Sequence, residues 1–171
     1  MLLLIIAIGI IVVIFCAVSL FGAPYVPSSA AEIRKAFKHL YELGDKDLLI
    51  DLGSGDGKVL RIADEFNAKS IGIEMNPILA AYSFLRTRKL PNAKIVCKNF
   101  YRYDFPDDTT IIYVFGDGRD IQKIANYVQK QAVRIGHPIF LMSHAFEVKD
   151  APLIKQYRAY FLYKIDSKEK K

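Results

Sequence analysis

The stretch that most constrains this chain is Asp51-Leu-Gly-Ser-Gly-Asp-Gly57, set directly behind the apolar run Leu48-Leu-Ile50. A short buried strand ends in an acid, three alternating glycines follow, and a helical pattern begins near Lys58. Glycine reaches positive φ without a Cβ penalty and lets a ligand approach the backbone. The helix that follows offers unpaired N–H groups at its start. In an open α/β sheet, a strand–turn–helix corner of this kind is where ligands sit.

Three glycine-rich loops compete for this stretch. The dinucleotide fingerprint G-x-G-x-x-G needs one residue more than Gly53-x-Gly55-x-Gly57 provides. The phosphate loop G-x-x-x-x-G-K-[ST] is also one residue too long, and Val59 stands where its hydroxyl should be. The pattern acid-x-Gly-x-Gly-x-Gly matches without a gap, and it resembles motif I of the class I S-adenosylmethionine (SAM) methyltransferases. The chemistry agrees. SAM carries a sulfonium and an ammonium rather than a phosphate, so a carboxylate at Asp51 suits it. The next strand, Ser70-Ile-Gly-Ile-Glu74, ends in an acid 23 positions after Asp51. Such an acid can accept hydrogen bonds from ribose hydroxyls. Asp51, Gly53, Ser54, Gly55, Gly57, Glu74 and the adjoining Met75 are the expected cofactor contacts. Asn76-Pro77 then opens a helix, with Pro at its first position.

Before this domain, residues 1–21 carry no charged side chain. That length spans about 30 Å of hydrocarbon as a helix. The run lacks a basic leader and exceeds the apolar core of a signal peptide, so the expectation is an uncleaved transmembrane anchor. Arg34, Lys35 and Lys38 follow it, and the positive-inside rule puts the C-terminal domain in the cytoplasm. The lack of an Arg/Ser-rich transit segment points to a prokaryotic plasma membrane rather than a mitochondrial one. The remaining 150 residues make one ordinary domain. A formal charge of +6 suits an anionic lipid surface. Cys16 and Cys97 have no metal spacing and read as buried apolar residues, so no metal is expected.

The expected organisation is an anchor over 1–21, a connector over 22–29 and an α/β domain over 30–171. Gly22-Ala-Pro-Tyr-Val-Pro-Ser28 is a stiff connector, because each proline restricts itself and its predecessor. Ser29 and Glu32 stand at capping-box distance. A helix follows over 30–43, stopped by Gly44. Strands are expected at 48–52, 70–74, 94–97, 111–115 and 138–143, with helices at 58–66, 77–88 and 119–134. This alternation predicts a doubly wound, Rossmann-like, mostly parallel sheet. The weak alternation over 157–165 predicts a single antiparallel edge strand, and hence a shortened C-terminal antiparallel end.

Taken together, the apolar span, Pro24-Tyr-Val-Pro27 and the motif over 51–57 narrow the resemblance. The chain is similar to the mitochondrial lysine methyltransferases acting on the adenine nucleotide translocase and the ATP synthase c-subunit, and to their prokaryotic relatives. The resemblance runs from about Gly22 to Ser143. It implies that Pro24, Tyr25, Val26 and Pro27 help close the cofactor and acceptor site; a plain spacer is the alternative. It also implies that Asn99 faces the adenine amino group, against the alternative of a turn-forming Asn. Asp117, in Phe115-Gly-Asp-Gly118, either touches substrate or caps the next helix.

The implied activity is SAM-dependent methylation of a lysine on a membrane-associated protein. A lipid or quinone-like acceptor, and a SAM-binding module without catalysis, are the other readings. No residue stands out as a general base. Methylation of nucleic-acid amines is disfavoured, because Phe115-Gly-Asp-Gly118 lacks the Asp/Asn-Pro-Pro-aromatic pattern of those enzymes.

Overall fold

The computed structural model describes residues 29–116 and 118–168, together with Ile6 and Gly9, both helical. The rest of the expected anchor, the connector residues Pro24, Tyr25, Val26 and Pro27, and Asp117 lie outside the described residues. Among the described residues no helix is long and apolar enough to cross a membrane.

The elements follow the alternation of the sequence. Helix α1 (Ala30–Ala36) runs into a π-helical turn, Phe37–Tyr41. Strand β1 (Leu48–Leu52), α2 (Lys58–Glu65), β2 (Lys69–Glu74), α3 (Pro77–Thr87) and β3 (Ala93–Cys97) come next. A 3-10 turn, Phe100–Arg102, leads to β4 (Ile111–Phe115), α4 (Ile121–Ile135) and β5 (Ile139–His144). The chain then forms β6 (Leu153–Tyr157) and β7 (Tyr160–Ile165). The sheet order is β3-β2-β1-β4-β5-β7-β6. β1 to β5 are parallel, and β7 runs antiparallel to both β5 and β6.

Both faces of the sheet are covered, which is why β1 reads as an unbroken buried run rather than an alternating one. Leu49, Ile111, Tyr113, Met142 and Leu162 pack against Ile33, Phe37 and Leu40 and against Val59 and Ile62 of α2. On the other face, Ile50, Leu52, Ile112, Val114 and Leu141 pack against Ile124 and Val128 of α4, with Phe105 alongside. The chain winds outward from β1 to β2 and β3, then returns to β4 on the other side of β1. The order therefore reverses at the carboxyl ends of β1 and β4, the switch point at which open α/β sheets bind ligands.

Four expectations are corrected. The C-terminal end is not shortened to one strand. Arg158-Ala159 turns the chain, with Arg158 at a φ of 53°, and a complete β6–β7 hairpin results. β6 is an exposed edge strand, so no burial alternation marks it in the sequence. The first helix ends at Glu42, in left-handed conformation, and not at Gly44. The capping box is not formed: Ser29 makes no side-chain cap bond, and Glu32 pairs instead with Arg158 at 2.9 Å. Cys97 is exposed, because it ends the edge strand β3.

Candidate cofactor and acceptor site

The loop after β1 takes its shape from three residues at positive φ: Gly53 at 78°, Gly55 at 53° and Gly57 at 72°. The N–H groups of Gly53 and Ser54 both donate to the Ile73 carbonyl, at 2.9 and 3.2 Å, and hook the loop onto β2. The glycines are not equivalent. A Cβ on Gly57 would lie 2.3 Å from Ser83 Oγ and 3.1 Å from Thr87 Cγ2, so this position lets α3 approach the loop. A Cβ on Gly53 would meet nothing within 4 Å, which leaves that side open. Ser54 packs inward, and a Cβ on Gly72 of β2 would lie 2.7 Å from its Oγ. Gly72 was missed in the sequence; a glycine inside a strand is the signal for such close backbone approach.

Three carboxylates surround the corner. Asp51 is buried, and no cation or hydrogen-bond donor among the described residues is paired with its carboxylate. Burial first, then the neighbouring charges of Glu74 and Asp56, hold its pKa well above the usual carboxylate range. Glu74 accepts from the Gly55 N–H at 2.9 Å through one oxygen and from the Asn76 N–H at 2.8 Å through the other. Each oxygen keeps a lone pair for a further donor. Asp56 is mostly buried and ties the loop to two helices, with Arg61 at 3.3 Å and Arg86 at 3.6 Å. Sequence reading passed over Asp56, although it lies inside the motif. Asn76 caps α3, its side chain accepting from the Ile78 and Leu79 N–H groups.

Met75 is exposed at the mouth of this corner. Asn99 follows β3, and its side-chain oxygen accepts from the Tyr101 N–H at 3.0 Å, capping the 3-10 turn. Asn99 thus forms the turn, the alternative role, and its oxygen keeps a second lone pair that could accept from the adenine amino group. At the carboxyl ends of β4 and β5, Phe115 and His144 meet with ring centroids 4.8 Å apart, and His144 stacks on Tyr160 at 4.3 Å. Burial lowers the His144 pKa and so favours the neutral ring. Ala145 holds a φ of 75°, and Ser143 Oγ donates to the Phe146 carbonyl at 2.5 Å. This turn sets the Phe146 ring against Gly118. The aromatic group was not legible in the sequence, since its members come from strands 4, 5 and 7 and the loop between them.

A buried carboxylate without a cation, an open glycine face and a second carboxylate with spare lone pairs fit SAM: a cationic methionine end and a ribose diol. They suit a pyrophosphate less well, since neither Asp51 nor Glu74 is paired with a cation among the described residues.

The strand order with its antiparallel seventh strand, together with this corner, is the class I methyltransferase fold. Solved structures agree. An RNA methyltransferase from Salinibacter ruber, in complex with S-adenosyl-L-homocysteine, superposes with a TM-score of 0.72 at 20% identity, covering 85% of this chain and 95% of that one. A SAM-dependent methyltransferase from Aquifex aeolicus gives a TM-score of 0.56 at 13% identity, covering 81% and 100%. Among curated proteins, the chain resembles the lysine N-methyltransferases of the ATP synthase c-subunit. It is 32% identical to that of Caenorhabditis elegans over 99 residues, 53% of this chain and 52% of the relative. It is 28% identical to the human protein over 96 residues, 54% and 40% respectively. The matched region thus spans about half, or less, of these relatives' length. No protein-family model matches the chain.

Proposed function

We propose that this chain is a SAM-dependent methyltransferase that methylates a lysine of a membrane-associated protein, with residues 1–21 as its bilayer anchor. The observation that carries the reading is the buried Asp51, unpaired among the described residues, beside an open glycine loop. The resemblance to lysine N-methyltransferases supports lysine as the acceptor.

When bound, SAM supplies an electrophilic methyl on a sulfonium, and transfer to an amine is an in-line displacement. Asp51 neutralises the cationic methionine end. Gly53 and Gly55 let the ligand lie against the backbone, with Ser54 fixing the loop from beneath. Gly57 holds the loop to α3. Glu74 takes the ribose hydroxyls on its remaining lone pairs, and Met75 lines the mouth. Asn99 would accept from the adenine amino group on the second lone pair of the oxygen that caps the turn. Phe115, His144 and Phe146 form an apolar wall on the acceptor side. A lysine with a free pKa of about 10.4 loses its proton more readily in such a dry setting. A neutral His144 adds no opposing charge. Alignment of the two partners is the main contribution, worth roughly 7–11 kcal/mol where geometry is favourable. Pro24, Tyr25, Val26, Pro27 and Asp117 belong to the covering segment and the acceptor edge in this reading.

The test is incubation of membranes carrying the full chain with methyl-labelled SAM. Label recovered as methyl-lysine in a protein band supports the proposal. Label in extracted lipid instead transfers the reading to a lipid or quinone-like acceptor, and binding without transfer reduces the chain to a SAM-binding module.

A further inference from the structure

Helix α3 is built inside out. Its buried positions are Ala80, Ser83 and Thr87, small or polar residues that fit closely over the Gly57 loop. Its exposed positions are apolar: Ile78, Tyr82, Phe84 and Leu85 are 40%, 47%, 56% and 58% exposed. A surface helix ordinarily shows the reverse arrangement. Ile78, Tyr82 and Leu85 fall at i, i+4 and i+7, so they form one stripe opposite the buried face. Among the described residues nothing covers that stripe.

The charges carried by this stretch of chain have one sign, and the nearby Asp56 is held by Arg61 and Arg86. From Met75 to Tyr103 the sequence holds Arg86, Arg88, Lys89, Lys94, Lys98 and Arg102 and no acid. At about 100° per residue, Arg86 flanks the stripe on one side, and the C-cap Arg88 and the turn residue Lys89 follow directly at its end. Arg86 lies over the Tyr82 ring at 5.5 Å and also reaches Asp56. Among the described residues, Arg88, Lys89 and Lys94 form no ion pair with a carboxylate. β3 lies at the edge of the sheet, with Lys94 and Cys97 exposed.

We infer that α3 and the adjoining β3 edge dock the domain on an anionic lipid bilayer, with Ile78, Tyr82 and Leu85 entering the interface and Arg86, Arg88 and Lys89 among the headgroups. An apolar stripe bordered by basic residues, with an aromatic at the boundary, is the composition of helices that lie in the membrane plane. Its 11 residues are far too few to span a bilayer. The uniform positive sign selects an anionic surface rather than a second copy of the same face, which would repel itself. This contact adds to the proposed anchor and does not depend on methyl transfer. It would lay the domain on its β3 side, with the carboxyl ends of the strands opening along the bilayer rather than away from it.

The chain contains no tryptophan, so Leu85→Trp introduces a single indole reporter. Full-length protein is reconstituted into vesicles of phosphatidylcholine alone or of phosphatidylcholine with phosphatidylglycerol, each with and without brominated acyl chains. Lys130→Trp, on the exposed side of α4, is the control. Docking predicts that brominated lipid quenches Leu85→Trp roughly twofold or more in the anionic vesicles, much less in the neutral ones, and leaves Lys130→Trp bright. Adding Arg88→Glu and Lys89→Glu should abolish the quenching while flotation with the vesicles, which reports the anchor, is retained. The inference is overturned if Leu85→Trp stays open to aqueous acrylamide in anionic vesicles. It is equally overturned if the indole is already shielded without lipid, which would mean that another segment or a second copy covers the stripe.

Discussion

Gly57 offers the sharpest separation of packing from ligand binding. In Gly57→Ala the new Cβ would lie 2.3 Å from Ser83 Oγ, at a φ of 72°. Left-handed backbone costs a residue bearing Cβ about 1–2 kcal/mol. Forcing a methyl into a filled site adds about 1–3 kcal/mol. The substitution should therefore destabilise the fold by roughly 2–5 kcal/mol. Ser83 Oγ is buried without a partner among the described residues, so Ser83→Ala alone should be close to neutral. It removes the nearest atom, leaving Thr87 Cγ2 at 3.1 Å and Ser83 Cβ at 3.4 Å. Combining the two should recover about 1–2 kcal/mol, a coupling within the range for residues in contact. Gly53→Ala, with open space around its Cβ, should lose only the backbone cost. Urea unfolding of the full chain in detergent, read by circular dichroism, measures all four variants. If Gly57→Ala unfolds within experimental error of the parent, or if Ser83→Ala recovers nothing, the assignment of this glycine to helix packing is wrong.

The other predictions concern the ligand and the acceptor. Gly55→Val should abolish SAM binding, and Glu74→Ala should weaken it by roughly 1–3 kcal/mol; calorimetry showing parental affinity in both would remove the cofactor site. Asp51 titrates above its ordinary value, so between that value and the raised one the native state holds the extra proton and stability falls as pH rises. A cationic ligand favours the ionised form, so SAM affinity should rise with pH across the same window with release of a proton. Asp51→Asn should lose both slopes, and calorimetry in buffers of differing ionisation enthalpy would expose a mistaken assignment by showing no proton release. Tyr25→Ala should lower methyl transfer at least about tenfold, equivalent to about 1.4 kcal/mol of barrier, while Val26→Ala should not; equal turnover in the two variants would return the connector to a spacer.

The cofactor corner was legible in the sequence because its requirements are local. Residues 51 to 57 must leave a buried strand, turn at positive φ and enter a helix, and only glycine at alternate positions allows this. The parallel strands were equally legible, since burial on both faces leaves unbroken apolar runs. Asn76-Pro77 declared the start of α3 for a similar reason: a cap acts within three residues. The β6–β7 hairpin was not, because β6 is exposed at an edge and its turn rests on Arg158 in a conformation that side chain does not announce.

Chain order and apolar pattern alone thus determined a doubly wound sheet with a ligand corner at its first strand. Tertiary structure decided which groups around that corner are already spoken for. Glu74 is shared between Gly55 and Asn76, Asp56 belongs to Arg61 and Arg86, and Asp51 has no such partner among the described residues. It also gathered Phe115, His144 and Tyr160 from separate strands, and turned the apolar side of α3 outward. The physical reason is the range of each interaction. Backbone conformation and periodicity are written within a few neighbouring residues, whereas charge pairing, ring stacking and the choice of buried face depend on atoms brought together from distant parts of the chain.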